Sequence, residues 1–449
     1  MDGKAEGSLA LSAAEQGRAI AAGRLDPVAQ AEAYLAAIEA HAEGARIYAR
    51  TTRARALAEA EAARARARDG RSLGPLDGVC VSWKDLFDTA GVATEGGSRM
   101  LAGRVPERDA EVVRRGTAAG TVCLGKTHLS ELAFSGLGVN PMAATSPNRH
   151  GLTLAPGGSS SGAAASLAFG LAPLAIGSDT GGSVRIPAAW NNLVGLKTTA
   201  GLIPCDGALP LARSLDTVGP LAHTVEDAAL GFAMLTEGPV PALGEGDPAG
   251  LVLFQPETLV VEGMDAEIAE GFEAALGALS AAGARIARGP MPAMAETLAV
   301  AAEHSAVVNY EGWQDWGETI EANPGVMFPP IETRFRSGAK ISAAANARAM
   351  AEFLRIRDRV VAAVEADGLL VMPAVPIAAP PVAQLMADEE YYTERNLMAL
   401  RNTRIGNLLG LAAITLPTRT AMAGLMLVGP PGSEARLLAA GHAVERALA

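Results

Sequence analysis

The chain has 449 residues, of which 49% are apolar, so it can bury a large hydrophobic core. Its formal net charge of −12 argues against a nucleic-acid-binding protein, which would present a basic face. The three cysteines (Cys80, Cys123 and Cys205) have no paired spacing, no secretory signal is evident, and no run approaches the ~20 apolar residues of a membrane span, so we expect a cytoplasmic protein without membrane contact.

The N-terminal segment, residues 1–70, is predicted to be helical. The sequence Ser-Ala-Ala-Glu at 12–15 is a capping box that begins the first helix. A second helix is predicted to start at Asp26 and Pro27, because aspartate caps helix N-termini and proline suits the first turn. The Ala-, Arg- and Glu-rich residues 54–70 predict a third helix with a solvated surface.

From about residue 75, short apolar segments alternate with helical patterns and glycine-rich turns, as in α/β folds. The first predicted strands are 79–83, 121–124 and 171–176. Strand, helix and strand follow one another again over 250–288, and a helix over 344–366 leads into a strand at 368–376. The Gly- and Pro-rich residues 238–249 are the best candidate for a domain joint, but the pattern continues beyond them. The sequence therefore predicts one large α/β domain.

Residues 120–127, Gly-Thr-Val-Cys-Leu-Gly-Lys-Thr, match the P-loop pattern G-x-x-x-x-G-K-[ST]. A P-loop needs a strand before its first glycine and a flexible loop that wraps phosphate. Here a helical pattern precedes Gly120, and residues 121–124 form an apolar strand. We therefore interpret Lys126 as a structural residue at a strand end, not as a nucleotide ligand.

Residues 158–162, Gly-Ser-Ser-Ser-Gly, match the nucleophile-elbow pattern centred on Ser160. That elbow follows a strand and needs a later acid and histidine, but Pro156 interrupts the weak strand here. The later histidines stand in no suggestive setting, so a Ser-His-Asp hydrolase is not favoured. Because no paired cysteines and no H-E-x-x-H motif occur, we expect neither a metal nor a cofactor.

Three further segments carry motifs that are common individually, but their combination is specific to one kind of protein. Lys84 ends an apolar strand within residues 78–91, residues 155–168 form a Gly-Ser turn before an Ala-rich helix, and residues 177–190 carry a Gly-Gly-Ser turn. A lysine at a strand end is usually solvated, and Gly-Ser turns are usually helix caps. In this order, the three segments resemble the amidase signature family, most densely over residues 75–227.

The resemblance implies the fold and the architecture of the domain. Residues 1–449 would form a single amidase domain, an α/β fold whose central mixed β-sheet is covered by helices on both faces. Residues 228–449 would supply the substrate pocket and the C-terminal part of this domain. The expected partner is a small-molecule amide, with no nucleic acid and no membrane, and a homodimer is left open.

The resemblance also implies a Ser–cis-Ser–Lys triad. Ser183 would be the acylated nucleophile, and Lys84 would be the base. Ser159 would bridge them, following a cis peptide bond from Gly158. The oxyanion hole would be formed by the backbone N–H groups of Thr180, Gly181, Gly182 and Ser183. The supporting residues would be Ser160 in the hydrogen-bond network, Asp179 as a brace of the loop, and Arg185 holding the loop or a carboxylate.

This triad answers a chemical need, because a serine hydroxyl is a poor nucleophile without a base. Lysine is protonated in water, with a reference pKa near ~10.4, but burial lowers that pKa by disfavouring the charge. The apolar strand before Lys84 supplies such burial. A hydroxyl at Ser159 can relay the proton, since it both donates and accepts.

Three residues depart from the family pattern: Trp83, His128 and Thr198. The first two are predicted near the acyl pocket, where they would affect substrate choice. The pocket itself should come from outside the signature, and residues 309–316 and 388–396 hold aromatic side chains suited to it. At helical spacing, Trp313 and Trp316 are more often core residues than pocket residues.

Three functions are compatible with this sequence. The first is an amide hydrolase that releases ammonia or an amine from a small molecule, with esterase activity as a side reaction. The second is the A subunit of a tRNA-dependent amidotransferase, against which the short C-terminal section 415–429 speaks mildly. The third is a non-catalytic scaffold with a relic site, which the intact Lys84, Ser159 and Ser183 disfavour.

Overall fold

We describe a computed structural model of the chain that covers residues 9–304, 306–364 and 368–449. The start of the predicted helical segment, residues 1–8, lies outside the described residues, and so do residues 365–366 at the end of the helix predicted over 344–366.

The strands of the described chain form one mixed sheet of eleven strands. They are β1 (Tyr48–Thr51), β2 (Cys80–Lys84), β3 (Val122–Thr127), β4 (Leu174–Ser178), β5 (Val194–Lys197), β6 (Val218–Ala222), β7 (Val252–Pro256), β8 (Arg285–Gly289), β9 (Leu369–Pro373), β10 (Ala412–Leu416) and β11 (Leu425–Gly429). Their order across the sheet is β1-β3-β2-β4-β6-β5-β10-β11-β9-β7-β8. The neighbours β3, β2 and β4 are parallel, as are β9, β7 and β8, and the other neighbouring pairs are antiparallel.

The helices alternate with these strands and cover the sheet. They are α1 (Ala13–Ala21), α2 (Pro27–Ala40), α3 (Gly44–Ile47), α4 (Arg53–Arg68), α5 (Glu111–Ala118), α6 (Ser161–Ala168), α7 (Arg185–Trp190), α8 (Val225–Thr236), α9 (Ala266–Ala281), α10 (Ala293–Glu303), α11 (Val307–Ala322), α12 (Pro329–Gly338), α13 (Ala343–Ala363), α14 (Val382–Ala387), α15 (Glu389–Leu408) and α16 (Glu434–Leu448). Single 3₁₀ turns lie at Arg99–Leu101, Glu131–Ala133 and Pro248–Gly250.

Two hydrophobic clusters lie on opposite faces of the sheet, and β2 shows why. Val81 and Trp83 belong to the larger cluster, whereas Cys80 belongs to the smaller one. Successive side chains of a strand point to opposite faces, so this division follows from the alternation of the strand. Ser82 and Lys84 therefore share the face of Cys80, on which α6 packs: the hydroxyls of Ser82 and Ser166 lie 2.8 Å apart.

The predicted N-terminal helices are present, and their caps are those expected. Ser12 and Glu15 make both hydrogen bonds of a capping box, and the carboxylate of Asp26 caps the helix that begins at Pro27. The helix predicted over 54–70 is found as α4, although it is solvated on part of its surface only. Its small residues, Ala56, Ala60 and Ala63, are buried at helical spacing and let α4 pack closely on α2 and β3.

The interpretation of the P-loop-like residues 120–127 is confirmed, because they contain β3 instead of a phosphate-wrapping loop. The ammonium of Lys126 is buried, donates to the hydroxyl of Thr94 (2.8 Å) and pairs with Asp85 (3.2 Å). These contacts give Lys126 a structural role.

Candidate active site

The parallel pairing of β2 and β4 brings Lys84 and Ser178 to the same edge of the sheet. Each is the last residue of its strand, and the pairing of Trp83 with Ile176 sets them side by side. The ammonium of Lys84 donates to the hydroxyl of Ser178 at 2.8 Å and to the hydroxyl of Ser159 at 2.7 Å. A fully buried lysine is thus held by two hydroxyls and contacts no carboxylate directly among the described residues.

Burial lowers the pKa of Lys84 to about 7, and the negative charges of Asp179 and Asp216 offset part of that lowering. The dehydrated interior disfavours the ammonium, which is why the shift is downward. Near neutral pH a substantial fraction of Lys84 is therefore an uncharged amine, which can accept a proton.

Ser159 lies in the turn that leads into α6. The peptide bond between Gly158 and Ser159 is cis, as the resemblance implies. A Cβ atom at Gly158 would lie 2.5 Å from the backbone nitrogen of Gly138 and 2.6 Å from the Ser130 hydroxyl, so only glycine fits there. The backbone N–H of Ser130 in turn donates to the carbonyl of Ser159 at 3.1 Å, which ties the turn to a second segment.

Ser183 lies in the loop between β4 and α7, next to the turn that carries Ser159. The two segments are joined by the Ser160 N–H, which donates to the Ser183 carbonyl at 3.1 Å. The hydroxyl of Ser160 accepts from the Ser178 N–H (3.4 Å) and donates to the Ser178 carbonyl (3.2 Å). Ser160 therefore lies within the polar network between the two segments. Its hydroxyl is not presented at the tip of a turn, as a nucleophile elbow requires.

Asp179 organises the loop that carries Ser183. Its carboxylate accepts the backbone N–H groups of Gly182 (2.8 Å) and Val184 (3.1 Å), and the guanidinium of Arg185 at 2.9 and 3.0 Å. Asn407 of α15 donates to the same carboxylate at 2.9 Å. Burial acts to raise the pKa of Asp179, but the charge and hydrogen bonds of Arg185 outweigh it and hold that pKa below its usual range.

This network changes the expected set of oxyanion-hole donors. Because the Gly182 N–H is directed at Asp179, it is occupied within the loop instead of facing a substrate. The backbone N–H groups of Thr180, Gly181 and Ser183 make no hydrogen bond within the described parts of the chain, and these three residues border the cavity described below. Gly182 instead permits a close approach, since its φ is +138° and a Cβ there would lie 2.1 Å from the Thr403 hydroxyl.

A cavity of about 90 Å³ opens beside Ser183. Thr180, Gly181 and Ser183 form one side of it, and most of the remaining wall is apolar. The residues that complete the wall from later parts of the chain include Val307, Val308, Asn309, Arg334, Leu400 and Arg404. The cavity thus joins the signature segments to α11, α12 and α15.

The structure corrects two expectations about the pocket. Trp83 and His128 do not line the cavity beside Ser183: Trp83 packs edge-on against Phe87 in the core, and His128 borders a separate cavity. Of the two segments proposed to line the pocket, residues 309–316 contribute Asn309 and residues 388–396 contribute no lining residue.

Trp316 and Tyr392 of these segments lie in the core, and the half-buried Trp313 packs against it, so the two tryptophans are structural, as their helical spacing favoured. Trp316 is buried and donates to the carbonyl of Pro210 at 2.8 Å. Tyr392 is buried and donates to the Ser135 hydroxyl at 2.8 Å. The third departure from the family pattern, Thr198, is also buried and donates to the Val218 carbonyl at 2.9 Å.

The cavity residues that the sequence did not reveal lie far along the chain from the signature. Leu400, Arg404 and Leu408 follow one another at intervals of four and line the cavity from one face of α15. A charged residue on an otherwise apolar stripe of a helix is the one signal that could have indicated Arg404. Arg334 on α12 carries no comparable signal.

Within the described residues, no group of three or more His, Cys, Asp or Glu side chains is placed to hold a metal ion. No helix in the described ranges is both long and apolar enough to cross a membrane.

Comparison with known proteins places the chain in a family. The Amidase family model matches residues 29–438. The 2-amino-5-chloromuconic acid deaminase of Comamonas testosteroni is 36% identical over 84% of this chain and 83% of its own length. The A subunit of the glutamyl-tRNA(Gln) amidotransferase of Chloroflexus aggregans is 34% identical over 95% of this chain and 94% of its own length.

The structures agree with the sequences. A solved crystal structure of an amidase superposes with a TM-score of 0.88 and 29% identity, covering 98% of this chain and all of the other. The single domain with its large mixed sheet and flanking helices is the architecture shared with that enzyme. The chain therefore belongs to the amidase signature family and is an enzyme of the amide hydrolase class.

Proposed function

We propose that this protein, acting as a single amidase domain in the cytoplasm, hydrolyses a carbon–nitrogen bond of a small-molecule amide through an acyl-enzyme on Ser183. Ser159 and Lys84 relay the proton, and no metal or cofactor takes part. The observation that supports this most is the 2.7 Å hydrogen bond from the buried Lys84 ammonium to the Ser159 hydroxyl, in a turn hydrogen-bonded to the loop of Ser183.

In the acylation step, the Ser183 oxygen attacks the amide carbonyl while its proton passes to Ser159, whose own proton passes to the neutral Lys84. The hydroxyls of Ser183 and Ser159 must come within hydrogen-bond reach in the substrate complex, since catalytic contacts often shorten only there. The carbonyl oxygen becomes an oxyanion, and the N–H groups of Thr180, Gly181 and Ser183 are the free donors beside it among the described residues.

Collapse of the tetrahedral intermediate breaks the carbon–nitrogen bond. The leaving nitrogen takes the proton that Lys84 received, again through Ser159, so ammonia or an amine departs and Lys84 is neutral once more. Water then attacks the acyl-enzyme and gives a proton to the same relay. The bond between the acyl carbon and the Ser183 oxygen breaks, this oxygen takes that proton back through Ser159, and the carboxylic acid departs. The relay therefore serves as base and acid in turn, and Ser178 keeps the amine of Lys84 in place throughout.

A second candidate function rests on the relative from Chloroflexus aggregans, which aligns over 95% of this chain. In this alternative, the chain is the glutaminase component of an amidotransferase and delivers ammonia within a complex. Purification from the native cell distinguishes the two, because only an amidotransferase component should elute with a stoichiometric partner and release ammonia from glutamine when that partner is present.

The experiment that tests the proposed function combines ammonia detection over a panel of small amides with a fluorophosphonate probe. Wild-type protein should release ammonia and carry the adduct on Ser183, and Ser183→Ala should be folded, unlabelled and inactive. Ser160→Ala is the matched control, since it should still be labelled on Ser183. An adduct mapped to Ser160, or turnover by Ser183→Ala above about 1% of wild type, would refute the assignment.

A further inference from the structure

Two arginines face the cavity beside Ser183, and they are its only charged lining residues in the described parts of the chain. Arg334 comes from α12, and Arg404 comes from α15. No aspartate or glutamate of the described ranges lines the same cavity, although the protein as a whole carries a net charge of −12. A local excess of positive charge is thus built into an acidic protein at its candidate site.

Neither arginine is neutralised by a described part of the chain. The Arg334 guanidinium donates to the carbonyl of Phe134 at 2.7 Å and lies over the Phe134 ring, 4.0 Å from its centre. The buried Nε of Arg404 has no hydrogen-bond partner among the described residues. Neither side chain forms an ion pair with a described carboxylate, whereas most of the other arginines along the described chain do.

This arrangement of the two arginines is unfavourable in free energy when no anion is bound. Burial, opposed by Tyr392 and aided by the positive charge of Arg404, lowers the pKa of Arg334 to about 10. Burial also lowers the pKa of Arg404. Both side chains are half-buried. A charge partly withdrawn from water without a partner is unfavourable, and so is the buried Nε donor of Arg404, which has no acceptor among the described residues. An anion that enters the cavity would remove both costs.

Resting on the proposed function, we infer that the amide substrate carries a carboxylate, which Arg334 and Arg404 bind while the scissile carbonyl lies against Ser183. The three residues line one cavity of about 90 Å³, so a ligand of few heavy atoms can touch all of them. A guanidinium offers parallel N–H donors that match the two oxygens of a carboxylate. The apolar wall between the two ends suits a short hydrocarbon link.

Two pairs of probes place the carboxylate on either side of the scissile bond. Succinamic acid carries it on the acyl side, and succinamide is its neutral counterpart. N-acetylglycine carries it on the amine side, and N-propylacetamide is its neutral counterpart. In at least one pair, wild-type enzyme should show a kcat/KM at least about 10-fold higher for the acid, as expected when charged hydrogen bonds are gained.

The variants assign that preference to the arginines. Arg404→Met and Arg334→Met should each reduce the acid-to-neutral ratio of kcat/KM by roughly 10- to 100-fold, mainly through KM, and Arg404→Lys should recover part of it because the charge is kept. Arg336→Met is the matched control, since Arg336 is exposed on the same helix as Arg334 and pairs with Glu332. It should keep the wild-type ratio.

Binding provides a readout that does not need turnover. Calorimetry on the folded Ser183→Ala variant should show the favoured acid binding, and adding Arg404→Met should weaken its Kd by a similar factor. The inference is overturned if wild type prefers the acid in neither pair and Ser183→Ala binds neither acid. If turnover depends on Ser183 but not on the carboxylate of the substrate, this inference is wrong and the proposed function is unaffected. If turnover survives Ser183→Ala, the proposed function itself is wrong.

Discussion

The carboxylate of Asp179 and the guanidinium of Arg185 form a fully buried ion pair with contacts of 2.9 and 3.0 Å. The same carboxylate holds the N–H groups of Gly182 and Val184, the two residues that flank Ser183. A single ion pair thus sets the backbone geometry on both sides of the candidate nucleophile. Arg185 therefore acts as a positioning residue, since its charge is used within the loop.

Replacing Asp179 with Asn should destabilise the protein and reduce turnover together. The substitution leaves Arg185 buried without a counter-charge, for which a loss of about 3–5 kcal/mol in the free energy of unfolding is expected. Glu226→Gln is the control, because its pair with Arg18 is exposed and should contribute at most about 1 kcal/mol. Urea unfolding measures both, and equal losses in the two variants would contradict the role given to Asp179.

Gly182→Ala should be far more harmful than Gly181→Ala. At Gly182 the added Cβ would meet the Thr403 hydroxyl at 2.1 Å with φ at +138°, whereas at Gly181 its nearest neighbour would be a Leu400 methyl at 3.4 Å. We expect a loss of about 2 kcal/mol or more in unfolding free energy for Gly182→Ala and less than about 1 kcal/mol for Gly181→Ala. Thermal unfolding of the two variants side by side gives the answer, and similar melting temperatures would count against the close packing of Thr403.

The α/β class, the single domain and the N-terminal caps could be predicted because they depend on local patterns. The alternation of Val81, Ser82 and Trp83 in β2 already separates the two faces of the sheet, and it places Lys84 on the same side as α6. The signature segments were found in order for the same reason: each is a short contiguous motif. Lys84, Ser159 and Ser183 could therefore be assigned to one candidate site without knowledge of any long-range contact.

The support of the loop could not be predicted, because it depends on contacts between residues that are distant in sequence. Thr403 and Asn407 reach residues 179–182 from a helix that begins more than two hundred residues later in the chain. The direction of the Gly182 N–H depends on the path of the loop around Asp179, which no spacing rule specifies. The aromatic residues of 309–316 and 388–396 suggested that these segments line the pocket. Residues next to them in the sequence, such as Val307, Val308 and Leu400, line it instead, and this choice also depends on long-range packing.

The rate should depend on pH through Lys84. Because burial lowers the pKa of Lys84 to about 7, the base is protonated and inactive below that pH, so kcat/KM should rise with pH to a plateau above about 8. The charge of Asp216 raises the pKa of Lys84, so Asp216→Asn should move the midpoint of this rise to lower pH. A pH–rate profile of the two proteins measures the shift, and an unchanged midpoint would argue that Lys84 is not the titrating group.

Substitution of Lys84 tests the same assignment by rate. Lys84→Ala removes the base and should reduce kcat/KM by roughly 10²- to 10⁴-fold. Lys84→Arg should be nearly as poor, since a guanidinium stays protonated. Combining Lys84→Ala with Ser159→Ala should cost little more than either change alone, because the two act as one relay. Near wild-type activity in Lys84→Arg would exclude a neutral lysine as the base.

The buried base should also leave a signature in stability, measured without any substrate. In the unfolded chain Lys84 keeps its proton up to its ordinary pKa of 10.5, whereas in the folded protein it loses the proton above about 7. Between these values the unfolded state binds more protons, so this group makes the free energy of unfolding increase as pH rises from about 7 to 10.

Lys84→Met removes that dependence while keeping a side chain of similar length. The melting temperature of Lys84→Met relative to wild type should therefore be highest at or below pH 7 and should decline steadily toward pH 10. Lys197 does not obscure the comparison, because burial and the charge of Arg185 lower its pKa to about 7 in both proteins alike. Lys340→Met, at an exposed position, should show no such decline. A difference between Lys84→Met and wild type that is constant over this range would mean that Lys84 keeps its proton in the folded protein, and it could not then accept the proton of Ser159.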